Sequence, residues 1–292
     1  MKTPNWKDYK VLSTGDGYKL EKWGEYTLLR PDPQVIWKAE KPLDKYKNID
    51  AKYTRRESKT GEWSFSRKLP ESWVISWQNL KFKVQPMNFK HTGLFPEQAV
   101  NWQTMIDLIK SAKRPVKVLN LFAYTGGATM ACASAGASVV HVDAAKNMVA
   151  HAKENARLSG LENAPIRYIV DDCQKFVEKE IRRGNKYDII IMDPPSFGRG
   201  PNNEVWKLEE NIFDFVMLTA KLLTDNAIAM LINSYTTGLQ PTVMQNILSI
   251  ACRDYNAKYE AYEIGIDTLE NNVKLPCGCS ALAILGGKNG RV

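Results

Sequence analysis

Residues 116–129 read VKVLNLFAYTGGAT and contain the strongest fold signal in the chain. The run 116–122 is apolar and includes β-branched residues, which is long enough for one buried strand. Residues 123–127 end in two adjacent glycines, and residues 128–135 favour a helix. Glycine at a strand-to-helix turn permits a positive φ or a close approach of the backbone to a ligand. The stretch therefore predicts a strand, a tight turn and a helix whose first N–H groups face the turn.

The next apolar run, VVHVDAA, places Asp143 at the end of a second strand. In a doubly wound sheet, an acid at this position holds the two hydroxyls of a ribose. The dinucleotide pattern GxGxxG and the phosphate loop GxxxxGK[ST] are both absent. The pattern predicts a cofactor that contains a nucleoside but no pyrophosphate, and S-adenosylmethionine fits that description.

Apolar runs alternate with helix-favouring segments from residue 89 to the end of the chain. Strands are predicted at 116–122, 138–143, 166–170, 187–192, 227–232, 257–264 and 279–285. Helices are predicted at 96–112, 128–135, 145–158, 173–183, 209–223 and 242–255. This alternation predicts an α/β domain at 89–292 with a doubly wound, mostly parallel sheet and helices on both faces.

Residues 1–88 have a different character and predict a small, mainly β module. Residues 14–30 are interpreted as a turn followed by a hairpin, residues 72–84 as a further strand pair, and the polar run 52–63 as a loop. This segment holds 18 Lys/Arg against 11 Asp/Glu, whereas residues 89–292 hold 22 against 21. It also contains six of the eight tryptophans. For any single tryptophan we favour a place in the core, but the charge asymmetry favours nucleic acid as a partner.

Composition excludes several classes of protein. No run of 18 apolar residues occurs and the first ten residues lack an apolar core, so we expect neither a membrane span nor a secretion signal. Five cysteines scattered through an α/β pattern indicate reduced thiols in a cytoplasm. The three histidines have no partner at metal-ligand spacing, so no metal site is expected. The oligomeric state is not indicated.

Five motifs resemble the class I S-adenosylmethionine-dependent methyltransferases. They are HTGLFPEQ at 91–98, LNLFAYTGG at 119–127, VDAAKNMVAHAKEN at 142–155, DDCQKF at 171–176 and DPPSFGRG at 193–200. The chain is most similar to the group that methylates large-subunit rRNA and includes cytosine-C5 methyltransferases. The resemblance implies a seven-stranded sheet with an antiparallel last strand, S-adenosylmethionine as the cofactor and RNA, specifically large-subunit rRNA, as the partner.

The resemblance also implies roles for individual residues of the cofactor site. The turn 123–127 would lie against the methionine part, Asp143 against the ribose, and Asp172 against the adenine N6 amine, with the backbone of Cys173 beside the ring. Asp171 is expected to face solvent or to cap the following helix. Phe95 and Gln98 would close over the adenosine. The complete predicted set is Phe95, Gln98, Ala123, Tyr124, Thr125, Gly126, Gly127, Asp143, Ala144, Asp172, Cys173 and Asp193.

The segment DPPSF at 193–197 carries the predicted chemistry. Two prolines after an acid fix φ and remove two N–H donors, which gives a stiff loop whose carbonyls can point at a substrate. Phe197 can stack on a flat base. The segment resembles the [DN]PP[x][FY] element of base methyltransferases, so Asp193, Pro194, Pro195 and Phe197 are the predicted catalytic residues.

The cysteine content of two loops indicates which kind of atom receives the methyl group. Methylation of cytosine C5 requires a thiolate that adds to C6, yet the loops DPPSFG and INSYTTG contain no cysteine. Transfer to a nitrogen or oxygen remains, which makes a nitrogen-directed RNA base methyltransferase the favoured hypothesis. A protein or small-molecule methyltransferase shares every cofactor residue. A non-enzymatic RNA-binding protein with a vestigial cofactor site is a third alternative.

Overall fold

The chain divides into two compact units in this computed structural model, which describes residues 1–55, 61–87, 90–199, 205–270 and 272–288. The first unit comprises Met1–Val100 and Ile264–Cys277, and the second comprises Asn101–Glu263 and Gly278–Val292. The sequence-based boundary lies between residues 88 and 89. The first unit thus also takes in a segment from near the end of the chain.

The first unit is built on a five-stranded sheet in the order β1-β2-β3-β4-β5. These strands are β1 (Tyr9–Gly15), β2 (Tyr18–Trp23), β3 (Tyr26–Pro31), β4 (Ala51–Arg55) and β5 (Gly61–Phe65). Strands β3 and β4 are parallel, and the other neighbours are antiparallel. A separate hairpin consists of β6 (Trp73–Trp77) and β7 (Leu80–Val84). The predicted mainly β character is therefore observed.

One prediction for this unit was wrong. The polar run 52–63 was expected to be a loop, yet most of its described residues belong to the antiparallel pair β4 and β5. Residues 56–60, at the centre of that run, lie outside the described residues. Tyr53 and Trp63 face each other across this pair, and Tyr53 is buried. Burial of alternate aromatic side chains overrides the polar composition between them.

Aromatic side chains form the core of the first unit. Tyr9 and Trp23 pack edge to face with ring centroids 4.6 Å apart. Trp6 lies within 6.4 Å of the rings of Trp77 and Phe82. These five side chains are buried, so the predicted place in the core is observed for Trp6, Trp23 and Trp77. The other three tryptophans of this segment, Trp37, Trp63 and Trp73, are half-buried.

The second unit is built on a seven-stranded mixed sheet in the order β10-β9-β8-β11-β14-β16-β15. Its strands are β8 (Lys117–Leu121), β9 (Ser138–Asp143), β10 (Ile166–Val170), β11 (Ile189–Met192), β14 (Ala229–Ser234), β15 (Tyr255–Asp267) and β16 (Lys274–Lys288). The five strands from β10 to β14 in that order are parallel. β16 runs antiparallel to β14, as the resemblance implied for the last strand.

In the described ranges, six α-helices and a short hairpin complete this unit. The helices are α1 (Ala99–Ala112), α2 (Gly127–Ser134), α3 (Lys146–Leu158), α4 (Cys173–Arg182), α5 (Leu208–Ala220) and α6 (Pro241–Ala251). The hairpin consists of β12 (Phe197–Arg199) and β13 (Val205–Lys207), and it was not predicted. The bounds of α2, α3 and α4 agree with the prediction to within one residue at each end.

Two apolar cores cover the two faces of the seven-stranded sheet. One contains Leu119, Ile190 and Met230 together with residues of α4, α5 and α6. The other contains Val118 and Ile189 together with residues of α1 and α2. Successive strand residues thus enter opposite cores, which explains the continuous apolar runs in the sequence. The strand order reverses between β8 and β11, and in open sheets ligands bind at the carboxyl ends of such strands.

Candidate functional site

The turn between β8 and α2 has an unusual backbone. Gly126 has a φ of 86°, and its N–H donates to the carbonyl of Ala123 at 2.9 Å. Phe122 and Tyr124 also have positive φ, 54° and 49°, although both carry bulky side chains. Non-glycine residues in this region are strained, and such residues cluster at binding sites. The positive φ predicted for this turn is therefore observed at Gly126, and two aromatic residues of the turn adopt it as well.

The second glycine serves packing. A Cβ atom on Gly127 would lie 2.3 Å from the indole ring of Trp102. Trp102 belongs to α1 and is buried, so its ring has little room to move. Gly127 thus allows α1 to pack against the first turn of α2.

Asp143, at the end of β9, holds the same turn. One carboxylate oxygen accepts the N–H of Tyr124 at 2.8 Å, and the other accepts the N–H of Ala145 at 2.8 Å. Burial raises the pKa of this carboxyl, while the two N–H donors oppose the rise. Asp143 remains half-exposed, and each carboxylate oxygen can accept a second hydrogen bond. The carboxylate can therefore accept ribose hydroxyls without releasing the turn.

Asn155 contacts the turn through a hydrogen bond that was not predicted. Its side chain is fully buried in α3, and its amide nitrogen donates to the carbonyl of Thr125 at 2.9 Å. A signal was present, because Asn155 occurs at the helical spacing of Val149, Ala152 and Ala156 on the apolar face of α3. A polar residue on such a face needs a specific partner. Asn155 thus fixes the turn from the side of α3.

A buried polar chain also lies beneath the turn. The amide nitrogen of Asn120 in β8 donates to the hydroxyl of Thr129 at 2.9 Å, and that hydroxyl lies 2.9 Å from Nδ1 of His141. All three side chains are buried. Burial lowers the pKa of His141 to about 3, so this histidine is neutral at pH 7. Asn120 is therefore a structural link between β8, α2 and β9.

Of the two acids after β10, Asp172 and not Asp171 caps the next helix. Asp172 is the N-cap of α4, and its carboxylate accepts the N–H of Lys175 at 2.9 Å. Asp171 was predicted to cap that helix or to face solvent, but its carboxylate lies 2.6 Å from Nζ of Lys179. An acid at the N-cap satisfies an open N–H of the first turn. Asp172 uses one oxygen for the cap and keeps the other for a ligand, so its predicted contact with adenine stays a prediction.

Cys173 follows directly and is buried. Its Sγ accepts the N–H of Phe122 at 3.3 Å, which links the start of α4 to the end of β8. Burial raises the pKa of this thiol far above its usual range. Its side chain therefore has a structural role, and only its backbone remains a candidate for contact with the cofactor.

The segment 193–197 follows β11 and accepts hydrogen bonds from Trp206, Thr236 and Leu208. The indole N–H of Trp206 donates to the carbonyl of Pro195 at 2.7 Å. The hydroxyl of Thr236 donates to the hydroxyl of Ser196 at 2.7 Å, and the N–H of Leu208 donates to the carbonyl of Ser196 at 3.0 Å. The loop after β14 and the start of α5 thus both contact this segment. Its stiffness comes from these bonds as well as from the prolines.

These bonds decide which groups of the segment can meet a substrate. The carbonyls of this loop were predicted to be free for a substrate, but Trp206 occupies the carbonyl of Pro195. Within the described part of the chain, no donor reaches the carbonyl of Pro194. Asp193 is half-buried, and the Phe197 side chain is 56% exposed, which leaves its ring open to a flat partner.

The remaining predicted residues have simpler surroundings. The N–H of Ala123 donates to the carbonyl of Val142 at 3.0 Å, which extends the pairing of β8 and β9. Ala144 is exposed next to Asp143. Phe95 and Gln98 belong to the first unit, where Phe95 contacts the ring of His91 and Gln98 is buried. Their predicted contact with adenosine stays a prediction.

In the described ranges, no group of three or more His, Cys, Asp or Glu side chains is arranged to hold a metal ion. Among the helices of those same ranges, none combines the length and the apolar character needed to cross a bilayer.

The donor set fits a nucleoside-containing cofactor. Asp143 and Asp172 follow adjacent parallel strands, and each keeps accepting capacity beyond its backbone bonds. The glycine turn follows the next strand of the sheet, and its backbone is fixed by Asp143 and Asn155. Carboxylates suit ribose hydroxyls and an adenine amine, and they need no pyrophosphate. The fold and this candidate site are those expected of an α/β enzyme with a nucleoside-containing cofactor.

Comparison with known proteins identifies the family. Residues 36–208, more than half of the chain, match the family described as S-adenosylmethionine-dependent methyltransferase. The chain belongs to this family, and it is an enzyme whose cofactor is S-adenosylmethionine. The chain is similar over almost its whole length to the S-adenosylmethionine-dependent methyltransferase from Agrobacterium tumefaciens. That crystal structure is 35% identical with a TM-score of 0.90, covering 97% of this chain and 92% of the other.

Other relatives are more distant. Ribosomal RNA large subunit methyltransferase K of Neisseria meningitidis serogroup B is 27% identical over 247 residues, which are 80% of this chain and 67% of the relative. Methyltransferase K/L of Shewanella frigidimarina is 34% identical over 148 residues, 50% of this chain but only 20% of the relative. The chain thus spans between a fifth and two thirds of the length of these curated relatives. SMU.776, solved with S-adenosylhomocysteine, shares the fold at 20% identity and a TM-score of 0.74.

Proposed function

We propose that this protein methylates a base of large-subunit rRNA and that a nitrogen atom of the base receives the methyl group. The segment 193–197 carries the proposal. Within the described part of the chain, it combines an acid, a proline carbonyl that no donor reaches and an exposed aromatic ring, and hydrogen bonds from Trp206, Thr236 and Leu208 help to hold it in place. A flat acceptor that carries N–H groups matches this combination.

The substrate class is supported by two further observations. The curated relatives described above carry names of ribosomal RNA large subunit methyltransferases. Residues 1–88 hold an excess of seven positive charges, which favours a polyanion as the substrate. We further infer that the seven-stranded sheet is the doubly wound class I arrangement, that residues 1–88 serve RNA binding, and that the enzyme works in the cytoplasm.

The cofactor residues receive the following roles in this proposal. Asp143 accepts the ribose hydroxyls, Asp172 accepts the adenine amine, and the turn 123–127 lies against the methionine part. Ala144 and the backbone of Cys173 lie beside the nucleoside. S-adenosylmethionine, when bound, supplies an electrophilic methyl group on a sulfonium sulfur.

The acceptor is positioned by the protein's own groups. The carboxylate of Asp193 and the carbonyl of Pro194 accept N–H bonds from the target nitrogen, which orients its lone pair. Phe197 stacks on the ring and holds it in plane. The nitrogen gains a carbon and loses a proton, and in this proposal the carboxylate of Asp193 accepts that proton. A base in structured RNA must leave its stack to reach this site.

The chemistry of the cysteines supports nitrogen over carbon as the acceptor. Four of the five thiols are buried, and the fifth, Cys277, is half-buried. Burial raises the pKa of Cys132 and Cys252 to about 12 and that of Cys279 to about 11. Burial also raises the pKa of Cys173 and of Cys277 well above the usual range of a thiol. A C5 methyltransferase needs a thiolate, and burial disfavours the thiolate form at each of these cysteines.

Methyl transfer from radiolabelled S-adenosylmethionine to total RNA tests the proposal. The RNA is isolated from cells that lack the gene, and nucleosides are analysed after digestion. We expect label in large-subunit rRNA as an N-methylated base. Recovery of C5-methylcytosine would overturn the choice of nitrogen. Label in protein or small molecules, with none in RNA, would overturn the substrate class.

A further inference from the structure

An aromatic row lies on one face of β4 and β5 in the first unit. Tyr53 and Trp63 are opposite each other across the two strands, and their rings meet edge to face at 5.4 Å. Phe65 is two residues after Trp63, so it lies on the same face. The rings of Trp63 and Phe65 are within 26° of parallel, with centroids 6.5 Å apart. The row thus consists of the buried Tyr53 followed by the stacked rings of Trp63 and Phe65.

The row is fixed in place at its inner end. The indole N–H of Trp63 donates to the carbonyl of Met87 at 2.8 Å. Gly61 leaves space for the Tyr53 ring, because a Cβ atom there would lie 2.4 Å from it. The hydroxyl of Tyr53 also accepts the N–H of Gly61 at 3.1 Å. Two of the three rings are therefore held before any partner arrives.

The outer end of the row is open. Phe65 is 53% exposed, and Trp63 is half-exposed. β5 is the edge strand of the five-stranded sheet, so no strand of that sheet covers its far side. Exposed aromatics on a strand surface are the platform on which unpaired bases stack.

Two cations flank this platform. Arg55 follows Tyr53 by two residues on β4, which places it on the same face, and it is exposed. Lys90 comes three residues after Met87, and the positive charge of Arg55 acts on it. Neither cation forms an ion pair within the ranges that the structure describes. Burial first, and then the nearby cations, lowers the pKa of Lys90 to about 8.

The other charges near Lys90 are already balanced. Arg30 donates to Glu21 at 2.6 and 2.8 Å and to the carbonyl of Lys90 at 2.8 Å. Lys19 lies 3.1 Å from Asp32. Among the described residues, these pairs leave Arg55 and Lys90 without an ion-pair partner beside the aromatic row, although Asp32 also attracts Lys90 and Nζ of Lys90 donates to the carbonyl of Pro31 at 3.4 Å. Cations next to stacking rings match the alternation of phosphates and bases in a nucleic acid.

We propose that Arg55, Trp63, Phe65 and Lys90, together called the β5 platform, bind a single-stranded RNA segment that flanks the methylated base. Bases stack on Phe65 and on the open part of Trp63, and a phosphate lies between Arg55 and Lys90. The proposal rests on the proposed function, because it takes RNA to be the substrate.

Fluorescence anisotropy with a fluorescein-labelled 12-nucleotide RNA of mixed sequence tests the platform on the full-length protein. Phe65→Ser should weaken binding about tenfold because it removes a stacking ring. Arg55→Gln should weaken binding several-fold and reduce the slope of log affinity against log salt by about 0.7, the value for one phosphate of a single strand. Phe65→Tyr keeps the ring and should bind as the wild type does. Lys22→Gln removes one exposed charge from the opposite face of the sheet and should change little.

The methylation assay separates this inference from the proposed function. With RNA as the varied substrate, Phe65→Ser should raise KM for RNA while KM for S-adenosylmethionine and kcat are retained. If the wild type methylates RNA and both platform variants bind it unchanged, the platform is wrong and the proposed function stands. If the wild type neither binds nor methylates RNA, the proposed function fails first. Concentration-dependent dimerisation that Phe65→Ser abolishes would assign the surface to a second copy of the chain and overturn the platform.

Discussion

The indole N–H of Trp206 lies 2.7 Å from the carbonyl oxygen of Pro195 and donates a hydrogen bond to it. The same indole contacts the rings of Phe122 and Phe215, each at a centroid distance of 5.7 Å. Phe122 begins the turn after β8, and Pro195 belongs to the acceptor segment after β11. A single side chain therefore contacts both the turn assigned to the cofactor and the segment assigned to the acceptor base.

Trp206→Phe should slow methyl transfer while leaving the cofactor site intact. Phenylalanine keeps an aromatic contact with Phe122 and Phe215 but cannot donate to Pro195. We expect kcat to fall about tenfold, which corresponds to the loss of one hydrogen bond that positions the acceptor. Steady-state kinetics check kcat, and calorimetry with S-adenosylhomocysteine should show unchanged affinity. An unchanged kcat would show that the prolines alone hold the segment.

Asp143→Asn should weaken cofactor binding. An amide can accept at only one of its two heavy atoms, so the ribose and one backbone N–H lose an acceptor. We expect affinity for S-adenosylhomocysteine to fall by about 10- to 100-fold, the range for hydrogen bonds to a charged group. Calorimetry provides the measurement. Asp171→Asn is the matched control, because Asp171 pairs with Lys179 and has no assigned ligand.

Asp172→Asn distinguishes the two roles of Asp172. Asparagine is as good an N-cap as aspartate, so the melting temperature should stay within about one degree of the wild type. Affinity for S-adenosylhomocysteine should fall several-fold, because the carboxylate oxygen left for the adenine amine becomes an amide. Equal affinity in variant and wild type would restrict Asp172 to its structural role at α4.

Gly127→Ala should destabilise the second unit. The new methyl group would meet the buried ring of Trp102 at 2.3 Å, so one of the two must move. We expect a loss of about 2 kcal/mol in the free energy of unfolding, as is typical of overpacking. Urea unfolding measures it. Gly136→Ala is a comparison at a glycine with open space, where the cost comes only from its φ of 93°. A Gly127 variant as stable as the wild type would contradict the packing role of that glycine.

His141 should make the protein less stable in mild acid. Burial lowers the pKa of His141 to about 3, whereas the unfolded chain titrates near 6.5, so the unfolded state binds the proton first. The resulting stability is fully present above pH 6.5 and is lost as the pH falls towards 3. Between pH 7 and pH 5 this histidine should account for about 2 kcal/mol. Urea unfolding at pH 7 and at pH 5 measures this. Between the two pH values, the free energy of unfolding of His141→Asn should fall by about 2 kcal/mol less than that of the wild type. An equal fall in the two proteins would assign the acid sensitivity to other groups.

Much of the second unit could be predicted because its signals are local. Strands β9 and β10 begin and end at the predicted residues, since apolar runs bounded by turn residues need no distant partner to be recognised. The acid after β9 and the DPP segment after β11 were found in the same way. The polar run 52–63 could not be predicted correctly, because β4 and β5 depend on the packing of Tyr53 and Trp63 across the strands.

The sequence by itself determined the alternation of the main strands and helices of the second unit, the family and the residue types available for the site. Only the tertiary structure decided how those residues are used. It made Asp172 a helix cap, turned Gly127 into a packing contact with Trp102, and brought Asn155 and Trp206 to the turn and to the acceptor segment. The physical reason is the distance along the chain over which each kind of interaction acts. Propensity and periodicity act over a few neighbours along the chain, whereas a hydrogen bond such as that between Asn155 and Thr125 joins residues that only folding brings together.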